Sequence, residues 1–428
     1  MNRTAFRILK LSVLAIGLTA MSFMVTSCSQ DGPEVQDNKP AHRQPISLTA
    51  NTRTAAYGLV DFYSKFTLDM AKYANDNKAD SKSNIVVSPL SAAMVLSMVA
   101  NACEESVQNA YLDYLGVDDI ESLNELSSIL IEKLPEADNT STFKINNSVW
   151  VNSSYNLTLT DKFSDMVTSK YFAATKNLDF TNTDAALKEL NDWCASTTND
   201  KITKHFTEIS ATAYAILLNS IYFNGKWRND IFDSSRTKAA IFHGLNGDTS
   251  PLTMESSLTD GYYANDGAFE GFTLSFGNKA YNLEIILSVD DTSADNADAK
   301  LTVERIANLR KSYQEASIKA FLPKFSIEGK HDLNKMFKAV GLEGLTLSGI
   351  NMFTKPVMGK IEYSQSASLT INETGAEAAA VTSGTIDATS NWPMEKKEIE
   401  IRVDRPFYFF IKEYSTNACI VSGRICNL

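Results

Sequence analysis

Apolar residues recur at steps of three and four between Ala55 and Asn75, at Leu59, Phe62, Phe66, Met70 and Tyr73, which is the spacing of a helix with one buried face. The segment Asn84-Ile-Val-Val-Ser-Pro-Leu-Ser91 predicts a short β-branched strand running straight into a helix, with Ser88 as cap and Pro89 in the first turn. Ala92 to Ala100 is apolar almost all round, so that helix belongs in the interior. Phe143, Ile145, Val149 and Val151 alternate with polar positions, Ile216 to Phe223 is nearly continuously apolar, and Ile399, Ile401 and Val403 alternate again. These patterns predict strands buried on one or both faces. Helical spacing fills the first half and strand spacing the second, which points to an α+β fold. With no internal repeat and no Pro/Gly-rich linker after residue 53, one domain is expected over residues 54–428.

One stretch departs from both periodicities. Glu377 to Asn391, EAAAVTSGTIDATSN, has almost no large apolar side chains and lies between a strand pattern ending at Ile371 and another starting near Glu398. A loop this long inside a compact domain is usually functional, the bland alternative being a disordered surface insertion.

Residues 1–27 join a positive start (Arg3, Arg7, Lys10) to an apolar run from Leu11 to Val25, too short and wrongly flanked for a stable membrane span, and read as an export signal. Val25-Thr26-Ser27-Cys28 resembles a lipobox, which makes Cys28 the acylated first residue of the mature chain and residues 28–53 a flexible polar tether. The expected location is that of an exported lipoprotein at the outer membrane or cell surface, or released from it. Asp31 and Glu34 suit the outer membrane.

The whole chain of 428 residues is 44% hydrophobic, enough for a large core, and carries a formal charge of −11 with a pI near 5.0. No basic block follows the leader, so nucleic acid is not an expected partner. Cys103, Cys194, Cys419 and Cys426 show no metal-ligand spacing, and no metal or other cofactor is expected; Cys419 and Cys426 fall on opposite faces if they share one strand and so are not expected to pair with each other, and all four read as small core residues. Four histidines, no Gly-x-Ser-x-Gly elbow and no phosphate loop argue against an enzyme. Ser235-Arg-Thr-Lys238 fits a loose Ser-x-x-Lys pattern without a companion motif and reads as surface.

Five blocks, in order, resemble the serpin family: Asn84 to Ser91, Leu218-Asn-Ser-Ile-Tyr-Phe-Asn-Gly-Lys-Trp227, Leu322-Pro-Lys-Phe-Ser-Ile327, Asn372-Glu-Thr-Gly-Ala-Glu-Ala-Ala-Ala380 and Arg405-Pro-Phe-Tyr-Phe-Phe410. The resemblance implies three β-sheets, eight or nine helices and an exposed reactive-centre loop. It implies a monomeric inhibitor whose partner is a serine endopeptidase, or a cysteine one, which cuts the loop and is trapped as an acyl-enzyme while the loop inserts into the main sheet. By the same resemblance, Glu373, Gly375, Ala376, Glu377, Ala378, Ala379 and Ala380 form the hinge, with Gly375 as pivot and small Ala376 where the family usually has Thr or Ser. Lys324 and Glu373 are expected to pair near Trp227, and Ser88, Ser91, Asn219 and Gln365 to cluster under the sheet, Gln365 standing where the family often has His. The scissile bond falls at Thr389-Ser390, bait for elastase-like or subtilisin-like proteases, although the distance from Glu373 to Pro406 is longer than is usual. Trypsin sites at Lys396 and Lys397 lie too far along to serve as bait.

A serpin fold does not by itself imply inhibition, so the loop's own chemistry matters. Alternate residues Ala376, Ala378, Ala380, Thr382, Gly384, Ile386 and Ala388 carry no charge, whereas Glu377 and Asp387 both fall in the other set with Ala379, Val381, Ser383 and Thr385. That parity suits a strand buried on one face. From Ala376 to Ala388, at about 3.3 Å per residue, it would span roughly 43 Å. The alternative function is a non-inhibitory serpin acting as a binding or structural surface lipoprotein.

Overall fold

The computed structural model describes residue 43 and residues 45–76, 83–289, 300–339, 351–355, 361–376 and 396–428, all in the unit that begins at Pro40. Helix α1 (Ala50–Asp76) buries Leu59, Phe62, Phe66 and Met70 on one face, as their spacing requires, and leaves Tyr73 half-buried. It begins inside the stretch read as tether. Ile46 and Leu48 already pack against the core, so the folded body starts ahead of residue 54.

Strand β1 (Ile85–Val87) passes directly into α2 (Pro89–Ala100), where Ser88 Oγ accepts from Ser91 N and every helical residue is buried. Helix α3 (Glu105–Leu115) stops at Gly116, whose φ of +73° suits glycine, and α4 (Ile120–Lys133) is capped by Asp119. There follow β2 (Ser141–Asn152), α5 (Asp161–Lys170), β3 (Ala174–Leu178), α6 (Thr183–Thr197) and β4 (Ala215–Lys226). Short strands β5 (Lys238–Ala239), β6 (Phe242–Gly244), β7 (Gly247–Thr249) and β8 (Leu252–Glu255) precede β9 (Thr259–Asn265), β10 (Phe269–Ser275) and β11 (Tyr281–Ser288). Next come α7 (Val303–Lys311), β12 (Gln314–Pro323), β13 (Phe325–Asp332) and α8 (Leu333–Ala339). The chain closes with β14 (Ile361–Glu362), β15 (Ser364–Asn372), β16 (Gly375–Ala376), β17 (Lys397–Arg402), β18 (Phe407–Glu413) and β19 (Cys419–Ile425).

Among the described residues these make eight α-helices and three sheets, in keeping with the expected α+β architecture. The main sheet has seven strands in the order β13-β15-β16-β4-β2-β3, with β14 also on β4; a ten-stranded sheet and the β6-β7 pair complete the set. Both faces of the main sheet are covered. Val149, Val151, Ala215 and Leu217 face the large core, which includes α1 and α2, while Trp150, Ile216 and Leu218 face a second core with Leu190 of α6 and Phe206. This explains the unbroken apolar run in β4.

Two features fix the interior electrostatically. Glu284 of β11 is wholly buried and accepts from Arg310 Nη2 at 2.6 Å, from Arg310 Nε at 3.1 Å to each carboxylate oxygen, and from Lys412 Nζ at 3.0 Å. Burial alone would raise the Glu284 carboxyl, but the two cations outweigh it and hold it at about 2. Among the described residues no disulfide joins Cys103, Cys194, Cys419 and Cys426; burial pushes the first three to about 12, and Cys103 is half-buried rather than part of the core.

Candidate functional site

The hinge begins where β15 turns over at Asn372. Asn372 Oδ1 accepts from Thr374 N and Oγ1, tightening the turn, and Trp227 holds it from beneath: Trp227 Nε1 donates to Asn372 O at 2.7 Å and Trp227 N to Thr374 O at 3.1 Å. Trp227 stacks on Phe276 with ring centroids 4.5 Å apart, so it is a fixed platform. Glu373 pairs with Lys324 as the sequence predicted, Nζ to Oε2 2.8 Å, and also accepts from Thr237 Oγ1 at 2.8 Å. Burial disfavours its charge, yet the bonds from Lys324, the backbone and Thr237 hold the carboxyl below its ordinary range.

Past the turn the chain enters the sheet. Gly375 lies opposite Asn372 on one side and Lys226 on the other; Ala376 lies opposite Ile371 and Gly225. Gly375 has φ +146°, and a Cβ there would sit 2.0 Å from Gly225 O, so the position admits only glycine. Ala376 is fully buried in the large core, on the parity expected for it. Glu377, Ala378, Ala379, Ala380, Thr389 and Ser390 lie outside the described residues, as does Cys28.

Below Ala376 the two flanking strands separate. β4 and β15 run in the same direction, since β16 is antiparallel to both, and among the described residues their facing edges are unpaired over Leu217–Asn224 and Ser364–Thr370. At the far end β14 closes against β4 through Ile361 opposite Ala215 and Glu362 opposite Ile216. The parted edges enclose a cavity of about 20 Å³ lined by Ile221 and Phe223 on one side, Ser368 and Leu369 on the other, with Val421 and Ile202 also on its wall. This is room for one water-sized sphere, not for a ligand.

The connection from α6 to β4, residues 198–214, straps this opening. His205 Nδ1 lies 2.7 Å from Ser366 Oγ of β15, Lys330 Nζ donates to Thr207 Oγ1 at 3.1 Å, and the Asn191 side chain of α6 bonds both N and O of Phe206. Burial, with Lys330 nearby, lowers the His205 imidazole to about 4, so it is neutral near pH 7.

Ser88, Ser91, Asn219 and Gln365 do meet beneath the sheet, though not as one ring. Gln365 is occupied by Ser88 alone, accepting from Ser88 N at 2.9 Å and donating to Ser88 O at 2.7 Å, while Ser88 Oγ donates to Ile420 O. Ser91 Oγ reaches the Asn219 carbonyl at 3.4 Å. The Asn219 side chain donates to Asn147 Oδ1 at 2.8 Å, and Asn147 in turn donates to Tyr171 O, while Asn219 Oδ1 is buried with no partner among the described residues. Asn147, Thr237 and His205 were missed in the sequence. Asn147 had a signal: it is the one polar residue at the buried parity of Phe143, Ile145, Val149 and Val151.

The far end of the loop is equally anchored. Lys396 Nζ contacts Asp260 at 3.0 Å and Glu315 at 3.5 Å, and Lys397 opens β17 opposite Ala316 of β12. Ser235 is exposed in a short turn, its N bonded to Asp233, as the surface reading of that motif expected.

Comparison with known proteins meets this geometry. Residues 62–428 match the family described as Serpin (serine protease inhibitor). An uncharacterized serpin-like protein of Thermococcus kodakarensis is 26% identical over 414 residues, covering 91% of this chain and 92% of the other; Iripin-2 of Ixodes ricinus is 27% identical over 360 residues, covering 81% and 88%. Among solved structures, the native state of the thermophilic serpin tengpin superposes with a TM-score of 0.74 at 24% identity, covering 90% of this chain and 97% of that one. Thyroxine-binding globulin in complex with thyroxine gives 0.71 at 22% identity, with 87% and 99% covered. The family pattern thus runs from the middle of α1 to the C-terminus, and its fold recurs around the parted sheet: the chain belongs to the serpin family.

Proposed function

We propose that this serpin inhibits serine endopeptidases by offering the segment between Ala376 and Lys396 as bait and, once cut, inserting its N-terminal arm between β4 and β15. One observation carries the reading: among the described residues two parallel strands lie with facing edges unpaired, and Gly375 and Ala376 are seated at the top of the opening in a register that can continue downward. A strand added there gains ladder bonds on both edges at about 0.5–1.5 kcal/mol net each, of order ten kcal/mol in all, enough to hold a trapped protease in a distorted state. The uncut fold is then held kinetically. Small side chains at Thr389 and Ser390 favour elastase-like or subtilisin-like targets.

The reading extends to location. Acylation at Cys28 tethers the monomeric inhibitor to the membrane surface, where it shields the anchored cell from foreign proteases; Cys28→Ala is expected to release the protein to the soluble fraction, and retention of firm membrane binding would end that part of the proposal. The inhibitory part is tested by mixing residues 29–428 with neutrophil-type elastase and with subtilisin. An SDS-resistant complex and a released peptide starting at or near Ser390 are expected. Cleavage without any complex would favour the alternative, a non-inhibitory binding or structural serpin.

A further inference from the structure

We propose that the strap over residues 198–214 is an acid-sensitive clasp, in which protonation of His205 frees β13 and β15 from the strap and lets β4 and β15 part further. Its use rests on the insertion reading above, whereas the clasp itself belongs to the uncut protein. The opening is V-shaped. At the lower end Ile361 and Glu362 of β14 pair directly with Ala215 and Ile216 of β4, and at the upper end β16 stands between β4 and β15. Full insertion must unpair the lower end too, moving its two sides apart by one strand spacing, about 4.8 Å.

The strap is tied to both sides of the V. On the β4 side, Asn199 Oδ1 accepts from Lys144 Nζ of β2 at 2.6 Å, and Asn152 Nδ2 of β2 donates to Ala213 O at 2.9 Å and to Ala211 O at 3.1 Å. The strap then runs covalently into β4. On the β15 side, His205 Nδ1 meets Ser366 Oγ at 2.7 Å and Thr207 Oγ1 accepts from Lys330 Nζ at 3.1 Å. Lys330 and Ser366 lie directly opposite each other in the register of β13 and β15, so His205 and Thr207, two positions apart on the strap, grip two adjacent strands at one level. That level is five residues above Ile361, close to the end that must open. Bonds of this length do not stretch across an added strand spacing, and the covalent side holds, so the β15 side is the one that lets go.

The side chain at the grip sets its response to acid. His205 is 6% exposed, with the Phe206 ring edge-on at 4.4 Å. Lys330 of β13 is the charged group that acts on it, a like charge for an imidazolium. On the same face β15 presents Ser366, Ser368 and Thr370, β4 presents Tyr222, and α6 reaches the strap through the Asn191 amide; Lys201, Lys204 and Glu208 of the strap and Glu328 and Asp332 of β13 are exposed to water. Burial and Lys330 both favour lifting a protonated His205 into solvent, which undoes the grip.

Hydrogen exchange in uncut residues 29–428, corrected for intrinsic rates, tests the clasp in peptides covering 198–214 and 361–366, with β10 and β11 as reference. From about pH 7.5 to about pH 5, wild type should lose protection in both peptides by about ten- to thirtyfold while the reference holds, because the imidazole titrates at about 4 when clasped and about 6.5 when released. His205→Gln still offers Ser366 a partner but takes no proton, and should be flat over this range. His205→Phe should be flat as well, and serves if the glutamine variant does not fold. Unchanged wild-type protection at pH 5, or an equal loss in wild type and variant, would overturn the proposal. The measurement involves no cut loop, so a melting midpoint that fails to rise on cutting would remove insertion, and with it the use of the clasp, while exchange alone decides whether the clasp exists.

Discussion

Gly375 stands where the family likeness puts the hinge's pivot, and its requirement for glycine is steric. Any side chain there meets the Gly225 carbonyl and a φ of +146°, so Gly375→Ala carries about 1–3 kcal/mol of strain in the seated hinge and must lift β16 out of the sheet. The stoichiometry of inhibition should rise roughly tenfold, in favour of substrate turnover. At His205 the matter is protonation. Its folded pKa of about 4 lies below the unfolded value of about 6.5, so the stability it contributes is fully present above pH 6.5 and is lost as pH falls toward 4, by up to about 3 kcal/mol. His205→Phe should flatten that window in pH-dependent urea unfolding. Loss that remains in the variant comes from carboxylates held below their ordinary range, among them Glu373 and the buried Glu284, whose contribution disappears only as pH drops from about 4.5 toward 2.

The elements divide into those whose periodicity announces them and those that exist only through pairing. α1, α2, β2 and β4 could be read directly, because Leu59, Phe62 and Phe66, the apolar run after Pro89, and Ile216 to Phe223 each record the layer they face. The Lys324–Glu373 pair and the buried serines were legible through family likeness. The strap over residues 198–214 was not, since its hold on the sheet is made by single polar contacts such as His205 to Ser366, which leave no periodic trace. Nor was β16, whose two residues form a strand only because β4 and β15 flank them. The start of α1 at Ala50 escaped for a similar reason: Ile46 and Leu48 look like tether until a surface receives them. At the loop's far end, Lys396 pairs with Asp260 and Glu315 and Lys397 opens β17 on β12, seven and eight residues past Thr389, so a cut at either would leave an overlong inserting arm. Trypsin should therefore cut this protein as a substrate; an SDS-resistant trypsin complex cleaved after Lys396 would contradict that.

At the scale of the molecule, the opening in the main sheet is the feature on which the proposed inhibition depends. Among the described residues the main sheet leaves the facing edges of β4 and β15 unpaired, with Ala376 seated above and β14 closing below, and the proposed inhibition requires that cutting the loop give this state a better-bonded alternative. The most direct test is the thermal melting of residues 29–428 before and after a single cut within the loop. The account predicts a midpoint higher by on the order of tens of degrees after the cut, because the released arm fills the space between β4 and β15. A midpoint that stays where it was would contradict insertion and leave this chain a serpin that binds without trapping.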